Sequence, residues 1–548
     1  MQTTALFTAS EMKQISGFLT LIATFNEPVL SADIRFAIAV SVRLSNETTW
    51  IDKLLICKAS TRKPKSLKRS PAVSTSNEKG LKPYWNDLCV EISSRLWLPV
   101  ETDSLGSPSS LSNTWSNSTV EKSWFSATLK VAQNPNSPPI FSPSFMSSVA
   151  EFTDSASTAR KSKKIQIYLT AEQRHLARQW FGVSRFVYNR TIEYLQTDGT
   201  QANWKAIKTD LLNSLPEFCK AVPYQIKSIA IKDACTAVRE AKKKFKKTGQ
   251  IQKPKFRTRR DPVQSCYIPK SAVSEVGVYR TILGSVRFAE SLPKKFGDCR
   301  MSMAYGRFYL CVPEEAVRQS AVERRERTRT KRIAVSQPEN QGRVIAIDPG
   351  VRTFATFFSE QSFGKIGEGD FSRIQRLCHH LDDLISRSSK ASSSAKRRLR
   401  KAASRMRLKI RNLIDELHHK TARFLVDNFD VILLPTFETS QMSKRSQRQI
   451  RSKTVRSMLS FSHYRFKQFL KYKAFETGKL VLDVCEAYTS KTVSWTGELL
   501  NIGGAKQIKS RIDSQVMDRD INGARGIFLR ALVDTPWMRQ HLAFVNER

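Results

Sequence analysis

The stretch RVIAIDPGVRTFATFFS, residues 343–359, reads as a strand, a tight Pro-Gly turn and a second strand. Asp348 ends the apolar run VIAI, where Pro349 and Gly350 turn the chain. Downstream, Phe371–Asp427 reads as a long, very basic helical pair with a Ser-rich break at SSKASSS, 388–394. DVILLP (430–435) is a second buried strand, an unbroken apolar run between turn-type residues. A helix over HYRFKQFLKYKAFE (463–476), a strand over Leu480–Val484, an irregular segment 488–515 and a helix from Asn522 to Leu532 complete the block. Strand-strand-helix-strand-helix-strand-helix is an α/β order.

Upstream of a charged linker at 324–339, a different pattern holds. A strand at Ile165–Leu169 leads to Thr170, with Gln173 at capping-box spacing. The helix that follows carries Leu176, Trp180, Val183 and Val187 on one face. Helices are expected at 203–212 and 224–245, and strands at 277–282, 285–289 and 301–312, the last folded at a Tyr-Gly turn. Basic and aromatic residues interleave over 242–260, as suits a nucleic-acid backbone with bases on rings, and as also suits a solvated helix end. Residues 101–150 hold 14 Ser and 5 Pro without sustained periodicity and read as a disordered linker. ADIRFAIAVSVRL (32–44) alternates like a strand with no clear sheet nearby.

The chain has 548 residues and 91 Lys and Arg against 49 Asp and Glu, a net charge of +42. Such a charge points to a polyanionic partner, whose counterions are released on binding. Residues 1–150 hold only +4 of it, so the remainder is the basic body. Nine cysteines (57, 89, 219, 235, 266, 299, 311, 378, 485) contain no C-x-x-C pair. That suits a reducing compartment and offers no zinc or disulfide framework. The apolar run ISGFLTLIATF is too short to span a bilayer, so no membrane is expected. RKSKK (160–164) and KRRLRK (396–401) suit nuclear addresses or solvated helix faces.

Three carboxylates stand out. Asp348 ends one strand, Glu486 follows another (LVLDVC), and Asp520 lies just ahead of the last helix within VMDRDINGA. They are 138 and 34 residues apart, so only a fold can gather them. Hydrolysis of phosphodiesters by two Mg²⁺ ions needs such hard oxygen donors. Each acid alone also fits a structural role: turn start, solvated strand end, helix cap.

Together AIDPGVRTFATFF, VCEAYTSKT and DRDINGAR resemble the split RuvC-type nuclease of the TnpB family, and most of all its eukaryotic Fanzor relatives. The strand-TAEQ…FGVSRFVYNR text is similar to the start of the family's wedge and recognition region, so the likeness covers roughly 163–532. The resemblance implies an RNA-guided DNA endonuclease with an α/β, ribonuclease-H-like (RuvC) domain over 341–535. An N-terminal β-barrel-like wedge with a helical recognition insert would span 161–340, with 1–160 a largely disordered extension and 536–548 a tail. It implies catalytic, Mg²⁺-binding roles for Asp348, Glu486 and Asp520, two ions, a guide RNA and a double-stranded DNA target. The resemblance also implies a monomeric ribonucleoprotein, acting in the nucleus if the chain is eukaryotic, as the Fanzor likeness suggests, and otherwise in the cytoplasm. Lys243, Lys244, Lys246 and Lys247, with Arg397, Arg398, Arg400 and Lys401, are the candidate nucleic-acid contacts.

Two departures from the family pattern matter. Where TnpB ends the VILLP strand with its second acid, this chain has Pro435, leaving Glu438 or Glu486 as the substitute. Glu486 is favoured because it stands just off a strand. The family's four zinc cysteines, in the insert over 487–517, are replaced by Val493, Thr496, Ser510 and Asp513, so no zinc is expected. A structural zinc contributes about 10–16 kcal/mol in small fingers, so other contacts must hold this degenerate ribbon. Other readings are an RNA-guided DNA-binding protein with a decayed nuclease, and a generic basic RNA-binding protein.

Overall fold

A computed structural model describes residues 37–43, 50–56, 85–98, most of 128–149, 159–316 apart from 198–199, 343–436 and 452–543. The chain divides into two compact units, 1–78 and 79–548. In the first, β1 (Ala37–Arg43) and β2 (Trp50–Ile56) pair as an antiparallel hairpin, which supplies the partner strand that the alternating run 32–44 lacked on paper.

The second unit is mixed α/β and contains two large sheets. The first is antiparallel in the order β5–β9–β10–β4–β8: Val263–Ile268, Cys299–Ala304, Arg307–Ala316, Ala159–Tyr168 and Arg287–Phe288. The Tyr-Gly turn joins β9 to β10, with Tyr305 at φ 53° and Gly306 at φ 81°, the double left-handed geometry of a two-residue hairpin. Among the described residues β5 and β8 form no ladder with each other, so the order is open rather than a closed barrel. Expected strands at 277–282 and 285–289 shrink to two residues each, β7 (Gly277–Val278) and β8, with β6 (Val273–Ser274) paired to β7 and a helical turn at Arg280–Leu283. Three helices cover this sheet: α2 (Ala171–Tyr194), α3 (Trp204–Asn213) and α4 (Tyr224–Thr248). The capping box is present in both directions, Gln173 N–H to Thr170 Oγ1 at 3.3 Å and Thr170 N–H to Gln173 Oε1 at 2.9 Å.

The second sheet has six strands, ordered β15–β14–β11–β12–β13–β3. These are Leu480–Val484, Val431–Pro435, Val344–Pro349, Ala355–Ser359, Ser362–Ile366 and Leu129–Gln133. β11 pairs parallel with β14, and β14 with β15, while β12, β13 and β3 follow antiparallel. Both faces are covered, which is why VIAI and VILLP are continuous apolar runs. Ile345 and Ile347 face α5 (Asp370–Lys390), α6 (Ser393–Asn428), Phe461 at the end of α7 (Ser452–Phe461), and α8 (His463–Thr477). Val344 and Ala346 face α9 (Arg519–Asp534). By alternation Asp348 lies on the α9 side.

The expectation of disorder over 1–160 fails for the β1–β2 hairpin and for two further described pieces. β3 is the sixth strand of the sheet, and α1 (Asp87–Arg95) packs with α9, burying Cys89 and Ile92 in the same core as Phe528 and Leu532. Both escape a reading of composition because each element is short and finds its partners hundreds of residues away.

Candidate active site

Asp348 sits at the end of β11 with Pro349, and β12 pairs Thr356 against it. Thr356 pairs in turn with Lys365 of β13, so Asp348, Thr356 and Lys365 form one row across the sheet. The parallel register runs Ala346–Leu433–Leu482, so two residues on, Asp348 stands level with Pro435 and Val484. Pro435 occupies the position beside Asp348 that an acid would use. Glu486 lies two residues past Val484 on the next strand, half-buried. Glu438 lies outside the described residues.

Asp520 is in the first turn of α9 rather than ahead of it. Asp518 is the N-cap: its Oδ1 accepts from Asp520 N–H at 3.0 Å and Ile521 N–H at 3.2 Å. Its Oδ2 accepts from Lys365 Nζ at 2.6 Å. The two acids of DRD are therefore divided: Asp518 holds the helix, and among the described residues the Asp520 carboxylate is held by Arg519, whose Nη2 reaches its Oδ1 at 3.2 Å.

The three candidate acids share one electrostatic neighbourhood. The Asp348 carboxyl is pushed up to about 8, first by burial, then by Asp520, then by Glu486, with Arg519 opposing. Burial also raises Glu486. Among the described residues no group of three or more His, Cys, Asp or Glu closes into a metal cage. The donor set nevertheless suits a hard divalent cation: oxygen donors of like charge whose ionised forms a cation would stabilise. Gly523 adds a cradle, since a Cβ there would lie 2.7 Å from Asp348 Oδ2.

The remaining letters of DRDINGAR also have jobs. Asn522 is buried, its Oδ1 accepting from Ser494 N–H and its Nδ2 donating to Thr492 O, both at 2.8 Å. Arg525 is fully buried and donates to Ser494 O (2.6 Å), Ser494 Oγ and Ser93 Oγ (3.2 Å each), Ser93 O (2.9 Å) and Leu96 O (3.4 Å). One guanidinium thus ties α1, the insert and α9 together. Gly526 lies against Thr489, in the turn after Glu486.

The insert is held by a carboxylate where the family pattern has zinc. Glu498 Oε2 accepts from Ser510 Oγ (2.7 Å), Arg511 N–H (3.0 Å) and Thr496 Oγ1 (3.2 Å), and Glu498 O accepts from Val493 N–H (2.8 Å). Trp495 Nε1 donates to Asp513 Oδ2 at 2.8 Å. All four positions that lack cysteine enter this network.

His463 and Lys365 were not legible as site residues. His463 is buried at the start of α8, stacks on Phe354 with centroids 5.1 Å apart, and places Nε2 3.0 Å from Gly350 O in the turn after Asp348. Among the candidate basic residues, Lys243, Lys244, Lys246 and Lys247 are exposed at the end of α4, and Arg397, Arg398, Arg400 and Lys401 are exposed on α6. No helix among the described residues is long and apolar enough to cross a membrane.

Residues 463–527 match the Cas12f1-like TNB domain, and residues 159–198 match the OrfB/IS605 helix-turn-helix domain. In this structure 159–198 is the strand β4 followed by the single long helix α2. A protein of Paramecium bursaria Chlorella virus 1 named as a transposase, A625R, is 32% identical over 256 residues, 46% of this chain and 54% of that protein. The match therefore spans about half the length of that relative. TnpB-like protein L770 of Acanthamoeba polyphaga mimivirus is 23% identical over 416 residues, 69% of this chain and 74% of its own. Among solved structures, the cryo-EM Cas12f1–sgRNA–target DNA complex aligns with TM-score 0.26 at 16% identity, over 68% of this chain and 99% of that one. The mini-RNA-guided endonuclease CRISPR-Cas_phi3 aligns with TM-score 0.36 at 9% identity, over 73% and 98%.

Proposed function

Because this chain belongs to the TnpB/Cas12f-like family, we propose that it is an RNA-guided, Mg²⁺-dependent DNA endonuclease with Asp348, Glu486 and Asp520 as its metal ligands. The observation that carries this reading is that the Asp348 carboxyl lies within the electrostatic reach of both Asp520 and Glu486, three acids from distant segments gathered at one end of one sheet. In this reading the six-stranded sheet is a ribonuclease-H-like (RuvC) nuclease domain, since strand order β15–β14–β11–β12–β13 carries an antiparallel triplet followed by two parallel strands. The antiparallel sheet with α2–α4 serves as wedge and recognition region.

Bound Mg²⁺ would supply charge stabilisation to the phosphoryl oxygens and an activated water. The protein's own residues do the rest. Asp348 is set by the strand end and by the Gly523 cradle, and Asp520 is set by the Asp518 cap and the Lys365 pair behind it. Lys365 neutralises Asp518, which keeps that acid in its structural role. Sequence would be read by guide pairing, while the exposed lysines of α4 and arginines of α6 grip backbone phosphates. A nuclear location is proposed on the same footing.

The test is cleavage of a randomised DNA library in Mg²⁺ by protein purified with its locus RNA. Asp348→Ala and Asp520→Ala should each abolish cutting while guided binding survives, since affinity comes mainly from phosphates and base pairing. Full cutting by either variant overturns the assignment. Guided binding without any cutting by the unaltered chain would favour the decayed-nuclease reading.

A further inference from the structure

We infer that Tyr488 is a stacking platform for a base of the strand being cut, beside the phosphate bound at Asp348, Glu486 and Asp520; this rests on the nuclease reading above. Among the described residues five non-glycines have positive φ: Tyr279, Tyr305, Ser462, Tyr488 and Ser514. Two of the tyrosines have structural reasons. Tyr305 belongs to the two-residue hairpin turn, and the Tyr279 ring packs edge-on to Trp180 with centroids 5.5 Å apart. Tyr488, at φ 66°, has neither. The residue is 60% exposed, and among the described residues its ring stacks on no other ring and takes no cation.

The backbone beneath it is firmly held. Tyr488 O accepts from Lys491 N–H at 2.9 Å, and from Thr492 N–H and Oγ1 at 3.0 Å each. Thr489 Oγ1 donates to Glu486 O at 2.8 Å, and Arg530 Nη1 donates to Ala487 O at 2.6 Å. This turn needs a left-handed residue, for which glycine or asparagine is the low-strain choice. The chain instead places a large aromatic there, strained in its backbone and open to water. Strain of this kind persists where the surroundings over-determine it, and it clusters at functional sites.

Position decides what the ring is for. Tyr488 is two residues from Glu486, in a turn laid against α9, where Gly523 meets Asp348 and Gly526 meets Thr489. An exposed π-face beside a phosphodiester-cutting site takes a nucleobase, whatever its identity, and so fixes the neighbouring phosphate. Exposed Lys491 adds positive charge beside the turn for the backbone, while Arg530 is engaged by Ala487 O and by an ion pair with Asp534 and so holds the turn.

The experiment has a readout that does not depend on cutting. The full chain carrying Asp348→Ala is bound to a single-stranded oligonucleotide containing 5-iododeoxyuridine, irradiated, and the cross-linked peptide is mapped by mass spectrometry. A cross-link at Tyr488 is expected; cross-links confined to other peptides overturn the inference. In the otherwise unaltered chain with its locus RNA, Tyr488→Gly should raise KM for DNA roughly 5- to 100-fold with kcat within about twofold. Its thermal midpoint should hold or rise, because glycine relieves the left-handed backbone, and Tyr488→Phe should restore KM. An unchanged KM in Tyr488→Gly overturns the inference and leaves the nuclease reading standing. A Tyr488 cross-link, together with no cutting of DNA by the unaltered chain with its locus RNA, leaves the stack standing and removes the nuclease.

Discussion

Gly523 lies so close to Asp348 that a Cβ would stand 2.7 Å from its Oδ2. The atom it meets is the end of a side chain, so Gly523→Ala can be accommodated by turning the carboxylate away. In a helix interior that change ordinarily stabilises by about 0.5–1 kcal/mol. The thermal midpoint should therefore hold or rise while cleavage falls at least about tenfold, since active-site groups tolerate little misplacement. Full activity in a folded Gly523→Ala protein would show that the Asp348 rotamer is not critical.

Glu486→Gln should lose cleavage by orders of magnitude, while Glu438→Gln loses little. Glu486 follows the strand that pairs with Pro435, one pleat beyond the level of Asp348. Cleavage rates of the two variants at saturating Mg²⁺ decide the matter, and the reverse pattern would falsify the choice of Glu486.

Glu498→Ala should loosen the insert. It removes the acceptor shared by Ser510, Thr496 and the Arg511 amide. Amide hydrogen exchange over 493–515 should accelerate in the variant and stay slow in the unaltered protein. Elemental analysis should find far less than one zinc per chain; about one would mean that a metal, rather than this carboxylate, organises the segment.

Arg525→Ala should cost about 3–5 kcal/mol in urea unfolding, because buried carbonyls of Ser93, Leu96 and Ser494 lose their donor. Arg525→Lys should recover part of that. A loss under about 1 kcal/mol would mean that water fills the site without penalty.

Acid should destabilise the protein through two buried histidines. Burial chiefly holds His463 down to about 3 and His418 down to about 4. For His463 the Gly350 carbonyl opposes this and His418 adds to it; for His418 the Phe461 carbonyl and Asp415 oppose it, while Arg465 and His419 add to it. Both are neutral when folded and protonate near 6.5 when unfolded, so the unfolded chain binds more protons below that pH. Stability is complete above about 6.5 and falls on acidification toward 4, by up to about 1.4 kcal/mol per pH unit for each histidine. His463→Gln keeps a donor for Gly350 O and should flatten this slope between pH 6.5 and 4. An unchanged slope would assign the acid sensitivity elsewhere.

What could be read from the sequence follows from what each segment packs against. VIAI and VILLP were legible because strands buried on both faces are apolar throughout, LVLDV because its apolar residues alone make a short run at the half-buried sheet edge, and Thr170 because a capping box is local chemistry. Asp348, Glu486 and Asp520 could be picked out by their places at element ends. The last helix was read from Asn522, since DRD looks like loop until Asp518 is seen to cap it. β13 escaped because SFGKI carries a glycine, where the Lys130 carbonyl and the Phe357 ring leave no room for a side chain. α1 and β3 escaped because their neighbours are remote. Lys365 and His463 act through contacts that no spacing encodes.

The Ser93–Arg525 contact spans 432 residues of chain. At about 5–20 residues per second of synthesis, α1 waits roughly 20–90 s on the ribosome before its binding surface exists. Throughout that interval Cys89 and Ile92 have no core to enter, and β13 must likewise emerge before β3 can pair. Maturation of the six-stranded sheet is thus a late, long-range closure. Slowing translation near the 3′ end of the message should lengthen exposure of the early segment to chaperones and proteases, without altering any contact in the finished protein.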